Sequence, residues 1–112
     1  MVKAYLVSNT CDVFTTIDKV TIHNWRDYSK LLDCDLFDVV RVEWGGKDIS
    51  LYIDDEGMLK ENYGRRVEGY PEPLFGNIIV TGGVDSEGNT LSIPDDIIVS
   101  EHIGQIEYKI KG

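Results

Sequence analysis

Two adjacent arginines, Arg65 and Arg66, are the residues of this sequence best suited to binding chemistry. They follow Asn62 and Tyr63 in a glycine-containing stretch of a chain whose formal net charge is −9. The planar guanidinium group forms bidentate hydrogen bonds with carboxylates and phosphates. We therefore predict a binding site that includes Arg65, Arg66, Asn62 and Tyr63, with a small anion as the ligand to test. The alternative is that both arginines pair with glutamates that neighbour them in sequence.

A second candidate cluster is acidic and consists of Glu43, Asp48, Asp54, Asp55 and Glu56. We expect Glu43 and Asp48 to lie opposite each other in a hairpin, where like charges destabilise the strand pair. Two such carboxylates could hold a divalent cation or act as an acid and a base. Because Arg41 lies diagonally next to Asp48, we favour a surface cluster that arginine neutralises. We predict no metal site and no cofactor.

The other motifs do not match catalytic or metal-binding patterns. The acidic turns around Gly57 and Gly88 lack calcium ligands at the required spacing. His23 and Asp27 have helical spacing but no third ligand, and His102 is isolated. The sequence has no nucleotide-binding glycine motif and no nucleophile with an adjacent base. These observations favour a protein without enzymatic activity and leave a minor hydrolase as an alternative.

Size and composition favour one domain that spans residues 1–112. The chain has 42% hydrophobic and 28% charged residues, which is enough for a core at this length. No run approaches the ~18 apolar residues of a membrane helix, and the N-terminal apolar patch is typical of a strand and not of a signal peptide. Cys11 and Cys34 indicate free thiols in a reducing compartment, with a disulfide as the alternative. We therefore expect a cytoplasmic protein with no membrane association.

The net charge restricts the partners that the protein can bind. Twenty acidic residues against eleven basic residues repel phosphate backbones, so we expect no direct binding of nucleic acid. The simplest interpretation is a well-solvated surface. The alternative is that the acidic residues imitate nucleic acid and occupy a basic groove on a partner protein.

The clearest structural signal is a β-hairpin centred on Gly45 and Gly46. Two β-branched runs, residues 37–44 and 47–54, flank these glycines, which tolerate the positive φ angles of a primed turn. A two-residue loop predicts the pairs Trp44 with Lys47, Glu43 with Asp48, Val42 with Ile49 and Val40 with Leu51. Even positions before the turn and odd positions after it then share one buried face.

The other expected elements are strands at 3–9 and 12–20, a helix at about 24–34, a strand at about 77–82, a short helix at about 94–101 and a final strand at 105–111. Asn24 can cap the main helix, with Asp27 in its first turn, and Pro94 suits the start of the short helix. The stretch 58–75 shows little periodicity, and long irregular connections often carry function.

These elements predict an α+β fold with a mostly antiparallel sheet of five or six strands. The main helix would cover one face of the sheet, and its tryptophan-bearing side would meet Val40, Val42 and Leu51. A short second helix would complete the domain. An exposed strand edge at 106–110 makes a homodimer possible through β-pairing.

Residues 49–97 resemble a small-protein family of phages and plasmids that is known as a domain of unknown function. The resemblance rests on a strand that enters the "DDEGML" turn, on Asn62 with Arg65 and Arg66, on the strand "GNIIVTG" and on the "DSEGNTLS" turn. In this chain Tyr63 and Gly64 separate Asn62 from the arginines, whereas the family more often has the asparagine directly beside its arginine. The resemblance implies a cytoplasmic protein in a phage or mobile-element setting, and it implies no activity.

We therefore predict a non-enzymatic accessory protein that acts by binding, with residues 58–75 as its contact region. A host or phage protein is the expected partner. The alternatives are an acidic inhibitor that imitates nucleic acid and blocks a host defence protein, and a small-ligand-binding protein or minor hydrolase.

Overall fold

A computed structural model describes residues 1–9, 15–55 and 63–109, with side chains for 1–8, 15–55 and 64–104. In chain order the elements are β1 (Val2–Asn9), β2 (Thr15–Ile22), α1 (Arg26–Leu32), β3 (Phe37–Trp44), β4 (Lys47–Asp54), β5 (Tyr63–Val67), β6 (Leu74–Phe75), β7 (Ile78–Gly82), a 3-10 turn (Val99–Glu101) and β8 (Ile103–Lys109). The broad prediction of an α+β fold dominated by antiparallel strands is confirmed.

The strands form two sheets, whereas the sequence predicted one sheet of five or six strands. The first sheet has the order β2-β1-β7-β4-β3, and the second has the order β6-β5-β8. The prediction of a single sheet was wrong because residues 58–75 were treated as irregular. This stretch contains β5, which carries a glycine and two arginines in place of a clear alternation, and β6, which has only two residues. Burial in the tertiary structure stabilises them where their own propensity is weak.

The central hairpin has the predicted register. Trp44 pairs with Lys47, Glu43 with Asp48, Val42 with Ile49 and Val40 with Leu51. Gly45 and Gly46 have φ angles of 58° and 78°, as a type I′ turn requires. Because side chains alternate between the two faces of a strand, the register that this turn sets determines which side chains of the hairpin share each face.

The buried face of this hairpin is covered by the second sheet and not by the helix. Val40, Val42, Trp44, Ile49 and Leu51 belong to one core cluster, which also includes Val67 and Leu74 of the second sheet and Ile93, Ile97 and Val99. The prediction that the tryptophan-bearing helix covers this face was wrong. The first sheet is therefore a central layer that is covered on both faces, and its central strand β7 is buried throughout.

Helix α1 packs on the opposite face of the first sheet. Its buried residues Tyr28 and Leu32 join Tyr52 and Ile79 in a separate core cluster, and the rings of Tyr28 and Tyr52 stack with centroids 4.0 Å apart. Trp25 points outward and is 64% exposed. The stacked tyrosines therefore anchor the helix where the sequence suggested that a tryptophan would.

Helix α1 begins and ends within the predicted range. The Asn24 side chain accepts a hydrogen bond from the Arg26 N–H at 2.9 Å, and the Asp27 carboxylate accepts one from the His23 N–H at 2.7 Å. These contacts satisfy N–H groups at the start of the helix. Asp33, with φ of 53° in the left-handed region, ends the helix.

The predicted second helix at 94–101 is reduced to a single 3-10 turn, Val99–Glu101. The Ile93 N–H donates to the Lys3 carbonyl at 3.0 Å, which ties the chain to β1 just before this segment, and the Ile97 N–H donates to the Pro94 carbonyl at 3.2 Å, which closes a turn. Ile93, Ile97 and Val99 are buried, and their spacing of four and two residues does not follow one helical face. Of the helix that Pro94 suggested, only the 3-10 turn forms.

Several predictions concern parts of the chain outside this description, namely residues 10–14 with Cys11, and residues 56–62 and 110–112. Cys34 is half-buried and packs against the core cluster beneath α1. Within the described ranges, no helix has the length and apolar character needed to cross a membrane.

The Gly45–Gly46 turn gives a prediction for stability. A Cβ atom at Gly45 would have no other atom within 4 Å, so a substitution there acts only through the backbone. We expect Gly45→Val to lower the free energy of unfolding by about 1–2 kcal/mol, because a β-branched residue is strained at positive φ. Gly45→Asn, which tolerates this conformation, is the matched control and should cost less than about 0.5 kcal/mol. Equal losses in urea unfolding would contradict the importance of this φ angle.

Asp27 gives a prediction for pH dependence. The hydrogen bond from the His23 N–H, with a smaller one from Asn24, holds the pKa of Asp27 below its ordinary value of 3.8. The folded state therefore favours the ionised form of Asp27. The stability that this carboxylate contributes is fully present above its pKa in the unfolded chain and is lost as the pH falls through its pKa in the folded protein. In urea unfolding, Asp27→Ala should be less stable than wild type at pH 6, and this difference should shrink below pH of about 4. A difference that is constant down to pH 2.5, or one that Asp18→Ala reproduces, would contradict this role.

Candidate functional site

Strand geometry places the two adjacent arginines on opposite sides of β5. Arg65 is 1% exposed, and its guanidinium donates to the Thr15 hydroxyl at 3.0 Å. Burial lowers the pKa of Arg65. Arg66 is exposed and donates to the Pro71 carbonyl at 3.2 Å. Because successive side chains of a strand point in opposite directions, the two guanidinium groups lie on opposite faces of β5.

The structure describes little of the other two residues of the predicted arginine site, Asn62 and Tyr63. Asn62 is outside the described residues, and Tyr63 is described only as the first residue of β5. Arg65 lines a cleft of about 230 Å³ together with Thr15, Ser100 and Gly104. The anion site at Arg65, Arg66, Asn62 and Tyr63 therefore stays a prediction, with Arg66 as the arginine that solvent reaches.

The predicted acidic cluster is divided between the two ends of the central hairpin. Glu43 and Asp48 are opposite each other beside the Gly45–Gly46 turn. Asp54 and Asp55 lie at the far end of β4, about 20 Å away at the rise of a strand, and Asp54 is buried opposite Phe37. Glu56 is outside the described residues. In the described part of the chain, no group of three or more histidine, cysteine or acidic side chains is placed to hold a metal ion.

His102 contacts residues that sequence reasoning did not connect with it. Its ring stacks on Trp44 with centroids 4.8 Å apart and an interplanar angle of 10°, and its Nδ1 lies 3.0 Å from a carboxylate oxygen of Glu68. The indole N–H of Trp44 donates to the Glu68 carbonyl at 2.8 Å. These contacts join the end of β3 to the second sheet. The three residues are far apart in sequence, and no local pattern predicts their contact.

A cleft of about 470 Å³ lies between the β1–β2 hairpin and the segment that follows Ser92. Its volume is within the range of small-molecule sites. The register pairs Lys3 with Thr21 and Tyr5 with Lys19, so these four side chains lie on the same face of the sheet. The residues that line the cleft are Lys3, Ala4, Tyr5, Lys19, Val20, Thr21, Ile93, Pro94 and Asp95.

The far wall of this lysine cleft is attached to β1 by its backbone. The Lys3 N–H donates to the Ser92 hydroxyl at 2.9 Å, and the Lys3 carbonyl accepts from the Ile93 N–H at 3.0 Å. Ile93 is buried in the core between the layers. The cleft is therefore formed by elements that are fixed to each other and does not depend on a free loop.

The lysine cleft carries positive charge in an acidic protein. Lys3 and Lys19 are exposed, and neither ammonium group lies within 4.0 Å of a carboxylate of the described residues. They are diagonal neighbours on one face, which places the two residues about 7–8 Å apart. Asp95 is the one carboxylate among the lining residues. Two ammonium groups beside the hydroxyls of Tyr5 and Thr21 can bind a small anion through charge-assisted hydrogen bonds.

Sequence reasoning missed this cleft because its two lysines are 16 positions apart and each is ordinary by itself. Strands at 3–9 and 12–20 were predicted, but their register was not, since the connecting residues carry no two-residue turn signal. The pairing of Lys3 with Ser92 and Ile93 is a long-range contact that no local pattern indicates.

Comparisons with known proteins give a family and no function. Residues 2–106 match the family model described as domain of unknown function DUF3846. The match includes the stretch 49–97 and extends over most of the chain. Searches of curated proteins and of solved structures find no match. The resemblance to a family of unknown function is thereby confirmed, and its phage or plasmid setting stays a prediction.

The division of the arginine pair gives a prediction for stability. Arg65→Ala removes a buried side chain and its hydrogen bond to Thr15, so we expect a loss of about 2–4 kcal/mol in the free energy of unfolding. Arg66→Ala removes the same chemical group from the exposed side and should change stability by less than about 0.5 kcal/mol. Chemical unfolding of both variants tests this difference. Equal losses would contradict the opposite placement of the two side chains.

Proposed function

This chain belongs to the DUF3846 family of domains of unknown function, and we propose that it is a non-catalytic protein that binds an anionic group in the lysine cleft. The ligand class is a carboxylate or phosphate, carried by a small molecule or by a partner. This function retains the anionic ligand that the sequence suggested and assigns it to Lys3 and Lys19. Arg66 is the alternative binding position for the anion.

One observation carries the proposal. Two ammonium groups on adjacent strands line the same cleft, and no described carboxylate lies within 4.0 Å of either group. Like charges on diagonal neighbours repel each other. An anion between Lys3 and Lys19 would remove this repulsion and supply the missing partner for both groups. The positive field is local, because the chain as a whole has a net charge of −9.

The chemistry of the lining supports binding more than catalysis. General acid–base or nucleophilic catalysis needs a histidine, a thiol or a pair of carboxylates with tuned pKa values. The lining residues offer lysines, hydroxyls, one carboxylate and apolar groups. Lysine binds phosphate and carboxylate as a compact positive charge. The buried side chain of Ile93 and the ring of Tyr5 exclude water from part of the ligand, which strengthens these contacts.

The wider biological role belongs to the same proposal. A cytoplasmic accessory protein of a phage or mobile element, with a host or phage protein as its partner, is consistent with the resemblance of residues 49–97. An acidic surface keeps nucleic acid away from the protein. The anionic group in the cleft would then be a carboxylate or phosphate of the partner or of a metabolite, and not a nucleic-acid backbone.

A titration with matched charge variants tests this function. We would measure binding of inorganic phosphate and of succinate by NMR and calorimetry at low salt. The double variant Lys3→Gln/Lys19→Gln should weaken binding at least tenfold, which corresponds to about 1.4 kcal/mol. The control variant Lys30→Gln removes one lysine charge on α1, away from the cleft. It should change the affinity by less than about twofold, since a distant exposed charge is screened.

The same titration separates the two candidate anion sites. If Arg66→Ala abolishes binding and the lysine double variant does not, the ligand binds at the arginine position and the proposed site is wrong. If Lys30→Gln weakens binding as much as the double variant does, the effect is one of net charge and the cleft is not a site. Retained thermal stability of each variant controls for unfolding.

A further inference from the structure

A second and smaller notch lies beside the turn of the central hairpin, on the face of the first sheet that carries α1. Its volume is about 180 Å³, and its lining includes Arg41, Asp48, Ser50, Gly83 and Val84. Ser50 pairs directly with Arg41 on β3 and with Thr81 on β7. Since a water molecule occupies about 30 Å³ in the liquid, the notch can hold several waters or one small functional group.

Ser50 is the unusual residue of this notch. It is 1% exposed, and its hydroxyl has no hydrogen-bond partner among the described residues. The neighbouring Thr81 hydroxyl donates to backbone carbonyls of Ser50 at 3.4 Å and Gly82 at 3.1 Å, so it does not serve the Ser50 hydroxyl. A buried hydroxyl without a partner is costly, and a bound water or ion is one explanation for such a group in a native protein.

Two charged side chains of opposite sign, Arg41 and Asp48, line the notch. Arg41 and Asp48 are exposed diagonal neighbours on one face of the hairpin, and the described part of the chain contains no ion pair between them within 4.0 Å. The notch therefore offers guanidinium donors, carboxylate acceptors and a hydroxyl that can do either. Glu43, opposite Asp48, adds a second negative charge beside the notch.

We infer that this notch binds a primary carboxamide group. A carboxamide carries a carbonyl acceptor for Arg41 and an NH2 donor for Asp48 side by side, and either can bond the Ser50 hydroxyl. A carboxylate in the same place would be repelled by Asp48 and Glu43, and an ammonium group would be repelled by Arg41. The neutral amide is the group that satisfies all three side chains.

The walls of the notch are held in place by close packing. A Cβ atom at Gly83 would lie 2.8 Å from the Cβ of Asp48, a distance at which one of the two must move. The segment after Gly83 is tied back to β7, because the Leu91 N–H donates to the Gly83 carbonyl at 2.8 Å and the Gly82 N–H donates to the Leu91 carbonyl at 2.9 Å. Gly83 therefore packs closely against Asp48 at this wall of the notch.

An NMR titration of the full chain with acetamide, acetate and methylammonium tests this inference. These probes are similar in size and differ in charge. Acetamide should give saturable shifts of the amide signals of Ser50, Gly83 and Val84 in the millimolar range, since so small a ligand makes few contacts. Acetate and methylammonium should give at least fivefold weaker responses at these signals.

Two variants assign the binding to the proposed side chains. Ser50→Ala should weaken acetamide binding at least fivefold and raise the melting temperature, because it removes an unpartnered buried hydroxyl. Arg41→Gln should also weaken binding at least fivefold without loss of folding, and Lys30→Gln serves as the charge control. A capped glutamine residue distinguishes the sources of the amide: tighter binding than acetamide supports a protein side chain, and equal binding supports a small molecule.

Three outcomes would overturn the inference. The first is an equal response to the three probes, which would indicate no selection for an amide. The second is acetamide binding that Ser50→Ala leaves unchanged. The third is a lower melting temperature of Ser50→Ala without saturable acetamide binding, which would indicate an ordered water only.

Discussion

The rest of the structure depends on the register of the β3–β4 hairpin, which the Gly45–Gly46 turn determines. With both glycines at positive φ, Trp44 pairs with Lys47 and each later pair follows in step. A shift of one residue would move every side chain of β4 to the other face. Ile49 and Leu51, neither of which is exposed, would then leave the core that joins the two sheets.

That register gives the first sheet two apolar faces, and each face requires a different cover. One face packs on the second sheet and on the buried isoleucines and valine that follow Ser92. The other packs on α1 through the stack of Tyr28 on Tyr52. Burial raises the pKa of the Tyr28 hydroxyl, with a further contribution from its contact with Tyr52. The three layers explain why a chain of 112 residues has its central strand β7 buried throughout.

Strand geometry also determines which charged groups act together. Arg65 and Arg66 are neighbours in sequence and are separated by the alternation of β5. Lys3 and Lys19 are distant in sequence and are brought to one cleft by the pairing of β1 with β2. The same alternation brings Arg41, Asp48 and Ser50 to one face of the central hairpin. Proximity in sequence is therefore a poor guide to shared chemistry in a protein made mostly of strands.

The amino-acid sequence by itself determined the features that depend on local physics. These are the α+β class, the register of the central hairpin, the capping of α1 by Asn24 and Asp27, and the turn at Asp85–Asn89. Each follows from φ preferences, alternation or hydrogen bonds within a few residues.

Only the tertiary structure decided the features that depend on long-range pairing. It converted the irregular stretch after residue 62 into β5 and β6, reduced the predicted second helix to the 3-10 turn Val99–Glu101, and placed α1 on the face opposite Val42. The lysine cleft and the notch at Ser50 depend on the same pairings. Local preferences in these segments are weak, so the contacts formed on packing outweigh them.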